Sequence, residues 1–111
     1  MAPGPALHFD IENTKEDQHG NRVTTIMCHG RVVSETVLEF KERIKPHILL
    51  GGRIIVDLSD VSHLDSAGLG ALVSLKASAI NQGYCTLEFV NMTPRVLELL
   101  KITNLTQLFK T

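Results

Sequence analysis

An α/β fold, a mixed four- to five-stranded sheet with flanking helices in the order β-β-α-β-α-β-α-α, is what this sequence predicts, and three observations carry the prediction. Two β-favouring segments near the N-terminus are separated by a polar, glycine-containing stretch, Asp17-Gln18-His19-Gly20-Asn21, which reads as a hairpin. Strand-like and helix-like periodicities then alternate through the remaining two-thirds of the chain, which implies parallel neighbours joined by right-handed crossovers. Between them lies a nearly continuous apolar run, Ile54-Ile55-Val56 with Asp57 and Leu58, expected of a strand covered on both faces.

The elements follow in order. Met1 to Ala6, with two prolines and a glycine, read as a flexible leader, leaving residues 7–111 as one domain. Leu7, Phe9 and Ile11 alternate with His8, Asp10 and Glu12, the period-two signature of a half-buried strand. Val23 to His29 form the second strand, ended by Gly30. Thr36, with Glu39 three residues on, fits a capping box. Val37, Phe40 and Ile44 then recur at helical spacing, and Pro46 and Gly51-Gly52 are expected to stop that helix. After the apolar run, Ser59 to His63 read as a polar loop. A second helix opens at Leu64-Asp65-Ser66-Ala67-Gly68-Leu69-Gly70, with Leu69, Leu72, Val73 and Ile80 as its apolar side, and Asn81-Gln82-Gly83 closes it. Thr86 to Met92 make a further strand. Thr93-Pro94 is a helix start of the cap-then-proline type, leading into Val96, Leu97 and Leu100, and a last short helical turn holds Leu105, Leu108 and Phe109.

Composition narrows the functional classes. The 111 residues carry 11 Lys and Arg against 12 Asp and Glu, a formal charge of −1, so the strong basic excess of a phosphate-binding surface is missing and nucleic acid is not expected as a partner. No apolar run reaches the ~18 residues of a membrane span, and the N-terminus lacks the basic and apolar regions of a secretory signal. A cytoplasmic location without membrane insertion is expected. Cys28 and Cys85 are far apart and flanked by apolar or β-branched residues, so they read as buried thiols. Of the histidines (His8, His19, His29, His47, His63), only His29, beside Cys28, makes a pair of metal-ligand character; the rest read as solvated side chains, and no metal or cofactor is predicted.

One segment is locally unfavourable, and so informative. Two glycines, Gly68 and Gly70, in an opening helical turn cost about 1 kcal/mol each relative to alanine inside a helix. With Ala67 and Ala71 they form a small-residue cluster that lets another backbone come close. Asp65 or Ser66 can cap the helix. A serine here lies at the positive end of the peptide dipoles, among N–H groups of the kind that hold a phosphate. Phosphorylation would add about −1.5 to −2 charges at pH 7. That charge, together with the carboxylates of Asp65 and Asp57, would oppose a partner docked on a glycine-flattened surface. The plainer reading is that the cap and the glycines only serve helix–sheet packing.

The stretch Ile54-Ile-Val-Asp-Leu-Ser-Asp-Val-Ser-His-Leu-Asp-Ser-Ala-Gly-Leu-Gly70 closely resembles the signature of the STAS domain as found in anti-sigma factor antagonists. The resemblance continues through Leu87-Glu88-Phe89-Val90-Asn91, Pro94-Arg95-Val96 and Leu100 to Phe109. It implies that Ser66 is the phosphorylation site and that Asp57, Asp65, Ser66, Ala67, Gly68, Leu69 and Gly70 meet the partner. It also implies partner switching. Unphosphorylated, the domain binds an anti-sigma factor that is also a serine kinase; phosphorylation of Ser66 releases it, and a phosphatase acting on the phosphorylated serine restores binding. The domain itself does no chemistry. Two departures stand out: where many members carry an acid after the glycine, Gly30-Arg31-Val32-Val33 has none, and members usually continue past the equivalent of Thr111 through a final strand and helix.

Two other classes compete. His63, Asp65 and Ser66 supply the residue types of a hydrolytic triad, but three groups crowded within four residues rarely reach triad geometry, and no Gly-x-Ser-x-Gly elbow is present. Gly68-Leu69-Gly70 lacks the third glycine of a dinucleotide loop. An adaptor role, as a subunit of a lipid-trafficking ABC transporter or of a sensory assembly, needs no phosphate cycle; the retained serine favours the switch over it.

Overall fold

The computed structural model describes residues 7–109 except 15, 17, 19, 21 and 84; the expected leader and three residues of the expected first turn (Asp17, His19 and Asn21) lie outside the described residues. The order is β1 (Leu7–Thr14), β2 (Val23–Val32), α1 (Val37–Leu50), β3 (Gly52–Leu64), α2 (Ser66–Gln82), β4 (Cys85–Val90) and α3 (Pro94–Ile102), followed by a 3-10 turn, Thr106–Phe109. The predicted architecture is the observed one, with four strands in the spatial order β1-β2-β3-β4. β1 and β2 are antiparallel, with Phe9 opposite Cys28. β2 and β3 are parallel, with Ile26 beside Val56, and so are β3 and β4, with Val56 beside Phe89.

Both crossovers step the same way along the sheet, so right-handed connections place α1 and α2 on one face, where they touch each other. Under them lie Leu7, Ile26, Cys28, Ile54, Val56, Leu58, Leu87 and Phe89 from the strands, closed over by Phe40, Ile44 and Ile48 of α1 and Leu69, Leu72 and Leu75 of α2, all buried. Phe109 packs against Phe89 with ring centroids 5.7 Å apart and planes tilted by 58°, so the final turn covers the β4 edge of this core. On the opposite face the alternate residues, among them Asp10, Met27, His29, Ile55, Asp57, Glu88 and Val90, are half-buried or exposed. The expectation that the apolar run is covered on both faces is therefore corrected: only Ile54, Val56 and Leu58 are buried, and Ile55 stands on the open face.

Four local expectations also change. Ser59 to His63 are not a loop but the continuation of β3, paired with a β2 that runs past Gly30 to Val32. The pairing slips twice, so Met27 to Val32 on β2 face Asp57 to Leu64 on β3. The bulges rotate the strand, and the inward residues become Leu58, Val61 and Leu64. That spacing of three breaks the period-two alternation of a strand and hides the element. Second, Pro46 lies inside α1, exposed, and does not end it; the helix continues to bury Ile48 and stops at Gly51, whose φ of 83° is the left-handed region that favours glycine. Third, the Thr36–Glu39 capping box is not formed. The amides of Thr36 and Val37 already donate to the Val33 carbonyl. Thr36 Oγ1 turns back instead, accepting from Val33 N at 3.0 Å and donating to the Arg31 carbonyl at 2.6 Å. Fourth, Ile80 is 60% exposed; α2 buries Leu75 and Ala79 in its place. No helix among the described residues is long and apolar enough to cross a membrane.

Candidate functional site

The end of β3 delivers Leu64 into the core, and the chain turns at once into α2. Of the two residues able to cap this helix, Asp65 does so. Its backbone is extended (φ −104°, ψ −171°), and Oδ1 accepts from Gly68 N at 2.9 Å. Its other oxygen, Oδ2, accepts from Ser34 N at 3.0 Å. One carboxylate thus ties the start of α2 to the turn between β2 and α1. The hydrogen bonds from Gly68 N and then Ser34 N hold the Asp65 carboxyl below the usual carboxylate range.

Capping by Asp65 leaves Ser66 free of that duty. Ser66 is the first residue of α2 and exposed, and its hydroxyl has no hydrogen-bond partner among the described residues. At the helix start, Asp65 accepts from Gly68 N through its side chain and from Leu69 N through its carbonyl, so Ser66 stands directly beside a carboxylate.

The two glycines differ. Gly68 is buried, and a Cβ built on it would lie 2.0 Å from the Val32 carbonyl oxygen. It is a packing glycine that lets α2 lie directly on the end of β2. Gly70 is exposed, and a Cβ there would meet nothing within 4 Å. Leu69 is buried in the core. Of the residues expected to meet a partner, Gly68 and Leu69 are therefore buried, whereas Ser66 and Gly70 are exposed and Ala67 is half-buried.

Asp57 is not part of this site. It pairs with Val90 at the end of β4 and lies on the open face of the sheet. Its separation from the start of α2 is set by the shorter run of β2, Met27 to Val32, five steps or roughly 16 Å at ~3.3 Å per residue. Its Oδ1 accepts from Ser59 N at 2.8 Å and its Oδ2 from Asn91 Nδ2 at 3.0 Å. Partial desolvation opposes these bonds, but they prevail, and the Asp57 carboxyl is held low. Residues that the sequence did not single out complete the Ser66 site: Ser34, whose amide meets Asp65 and whose Oγ donates to Glu35 Oε1 at 3.0 Å, and Glu35 itself, an exposed acid two positions after Val33. Only the pairing of β2 with β3 brings this turn to α2.

The triad residue types do not assemble. His63 Nδ1 meets Ser62 Oγ at 3.1 Å, while Asp65 is taken up by backbone amides. Neither cysteine joins a ligand set among the described residues. Cys28 is buried and its thiol is pushed up to about 12, by burial first and the Asp57 charge second; the half-buried Cys85 thiol is raised by burial.

Comparison with known proteins identifies the family and the fold. The STAS domain family model matches residues 14–111. The anti-sigma-B factor antagonist of Staphylococcus aureus is 32% identical over 103 residues, covering 92% of this chain and 91% of that protein. Among solved structures, a Thermotoga maritima protein assigned as an anti-sigma factor antagonist superposes with a TM-score of 0.77 at 25% identity, covering 92% of this chain and 83% of that one. The Bacillus cell fate determinant SpoIIAA in its phosphorylated form shares the fold, with a TM-score of 0.64 at 19% identity over 90% of this chain and 86% of that one. With a family match over nearly its whole length and a relative at this identity, the chain belongs to the STAS domain family.

Proposed function

We propose that this chain is a cytoplasmic anti-sigma factor antagonist that works by partner switching through Ser66. In the unphosphorylated state it binds an anti-sigma factor that doubles as a serine kinase, so that the sigma factor goes free. Transfer of the γ-phosphoryl group of ATP to Ser66 Oγ ends the complex, and a phosphatase acting on the phosphorylated serine restores it. The chain is substrate and ligand in this cycle, not catalyst.

The single observation that carries the reading is the division of labour at the start of α2. Asp65 makes the cap, and Ser66 is left exposed with an unengaged hydroxyl. A serine kept only for folding would be the capping residue. The open space over Gly70, one turn along the helix, leaves room for a kinase to approach. A phosphate would bring about −1.5 to −2 charges next to the Asp65 carboxylate. Asp65 is held by two amides, so the added charge would meet a fixed carboxylate and build a concentrated negative patch that acts on the docked partner. The names of the Staphylococcus relative and of the phosphorylated Bacillus structure support the same direction.

The reading is tested by titrating the anti-sigma partner with wild type, Ser66→Ala and Ser66→Asp. Ser66→Ala should bind as wild type does, and Ser66→Asp at least tenfold more weakly, with all three melting within a few degrees of one another. Equal binding by wild type and Ser66→Asp would remove the charge-repulsion mechanism.

A further inference from the structure

The open face of the sheet, away from α2, carries a side-chain cluster that the switch does not use. His8 on β1 lies directly opposite His29 on β2, and their rings stack with centroids 4.5 Å apart and planes 18° from parallel. Asp10, two residues along β1 and so on the same face, places Oδ2 at 2.8 Å from His29 Nε2. Asp60, beside His29 on β3, places Oδ2 at 2.7 Å from His29 Nδ1. The ligand atoms of His8, Asp10 and His29 all lie within 4.8 Å of one another.

We propose that His8, Asp10 and His29 form a surface site for a divalent ion of the zinc class, with Asp60 as the residue that orients His29. Two imidazoles and one carboxylate are a ligand set that Zn²⁺ accepts, with water free to complete a tetrahedron. Around one ion with bonds of about 2.1 Å the donor atoms sit ~3.4 Å apart. His29 Nε2 and Asp10 Oδ2, now bonded at 2.8 Å, would open by about 0.6 Å to admit the ion, and the exposed His8 ring would turn out of its stack on His29 to aim a nitrogen at it. The second carboxylate is the more telling feature. A metal-bound histidine characteristically gives its other ring N–H to a carboxylate, which fixes the tautomer and turns the ligating nitrogen toward the ion. Asp60 stands in that position at Nδ1, leaving Nε2 for the ion between Asp10 and His8. A bound ion would staple β1 to the centre of the sheet, three residues before the Val32 carbonyl on which α2 rests. Cys28, the neighbour that drew attention to His29, takes no part, because its side chain is buried on the other face.

The same geometry also suits a protonated His29 shared by two carboxylates with no metal, and the experiment separates the two. The untagged full-length chain is titrated with Zn²⁺ by calorimetry near neutral pH and with Co²⁺ by visible absorption. The expected result is one ion per chain, a Co²⁺ spectrum of low coordination number, and a melting temperature that rises with Zn²⁺. His8→Ala and Asp10→Asn, both at exposed positions and checked for unchanged circular dichroism, should each weaken binding at least tenfold. Asp60→Ala should weaken it by about 10- to 100-fold, as loss of an orienting carboxylate does, while His63→Ala leaves it unchanged. Absence of stoichiometric binding, binding that survives His8→Ala and Asp10→Asn undiminished, or equal loss in His63→Ala would each overturn the site.

Discussion

Replacing Gly68 by alanine tests whether α2 is seated directly on the backbone of β2. The added Cβ would fall 2.0 Å from the Val32 carbonyl oxygen, 3.0 Å from its carbon and 3.2 Å from Leu64 Cγ. Normal contacts between non-bonded heavy atoms begin more than an ångström farther out, at about 3.5 Å. The Val32 side chain is itself fully buried, so the strand has little room to retreat and the start of α2 must lift. Overpacking of this kind costs up to about 3 kcal/mol, while alanine recovers about 1 kcal/mol of helix propensity. The net expectation is a loss of about 2 kcal/mol, or roughly 10 °C in melting temperature for a domain of this size. Gly70→Ala is the internal control. It lies two residues further along the same helix with nothing within 4 Å of the new methyl group, and should gain up to about 1 kcal/mol. Urea titration of the three proteins gives the comparison directly, with the midpoint moving down for Gly68→Ala, up for Gly70→Ala, and the slope unchanged in both. A Gly68→Ala protein as stable as wild type would refute the close approach, and with it the claim that this glycine serves packing and not docking.

Three further outcomes follow from the same contacts. Thr36→Val leaves the Val33 amide and the Arg31 carbonyl without their hydroxyl partner, and should cost about 1–3 kcal/mol in urea denaturation while loosening the turn that carries Ser34. Because the folded-state pKa of Asp65 is depressed, its contribution is fully present above the unfolded value of about 3.9 and is lost as pH falls through the lower folded value. Asp65→Asn should therefore show a shallower fall of melting temperature below pH 4 than wild type. Cys28, with its thiol pushed up to about 12, should resist alkylation at pH 8 in the native protein and react promptly once urea unfolds it; prompt labelling of the native thiol would contradict its burial.

Much of this was legible in the residues because local signals and tertiary demands agree. The alternation of Leu7 and Phe9, the helical spacing of Val37, Phe40 and Ile44, and the Thr93-Pro94 start report faces that the fold does bury or caps that it does make, although the same alternation also pointed to Ile11, which is exposed. Thr93 Oγ1 accepts from Val96 N, as its type predicts. What escaped reading depended on contacts between distant segments. The slipped pairing of β2 with β3 gave Leu58, Val61 and Leu64 a spacing of three that breaks the alternation of a strand. The two glycines of one motif look alike in sequence, and only the proximity of Val32 separates a packing glycine from an exposed one. Asp57 sits in the same signature as Ser66, yet strand parity turns it to the open face. The His8, Asp10, His29 and Asp60 cluster gathers residues from three strands, and no spacing along the chain announces it.

The most direct test of the switch is intact-mass measurement of the protein purified from its own host, before and after phosphatase treatment, with fragmentation to locate any phosphate. A population one phosphate heavier, collapsed by phosphatase, mapped to Ser66 and absent from the Ser66→Ala protein, is the predicted result. A phosphate located at Ser34 or elsewhere, or a chain that is never modified while its anti-sigma partner is active and ATP is present, would contradict it.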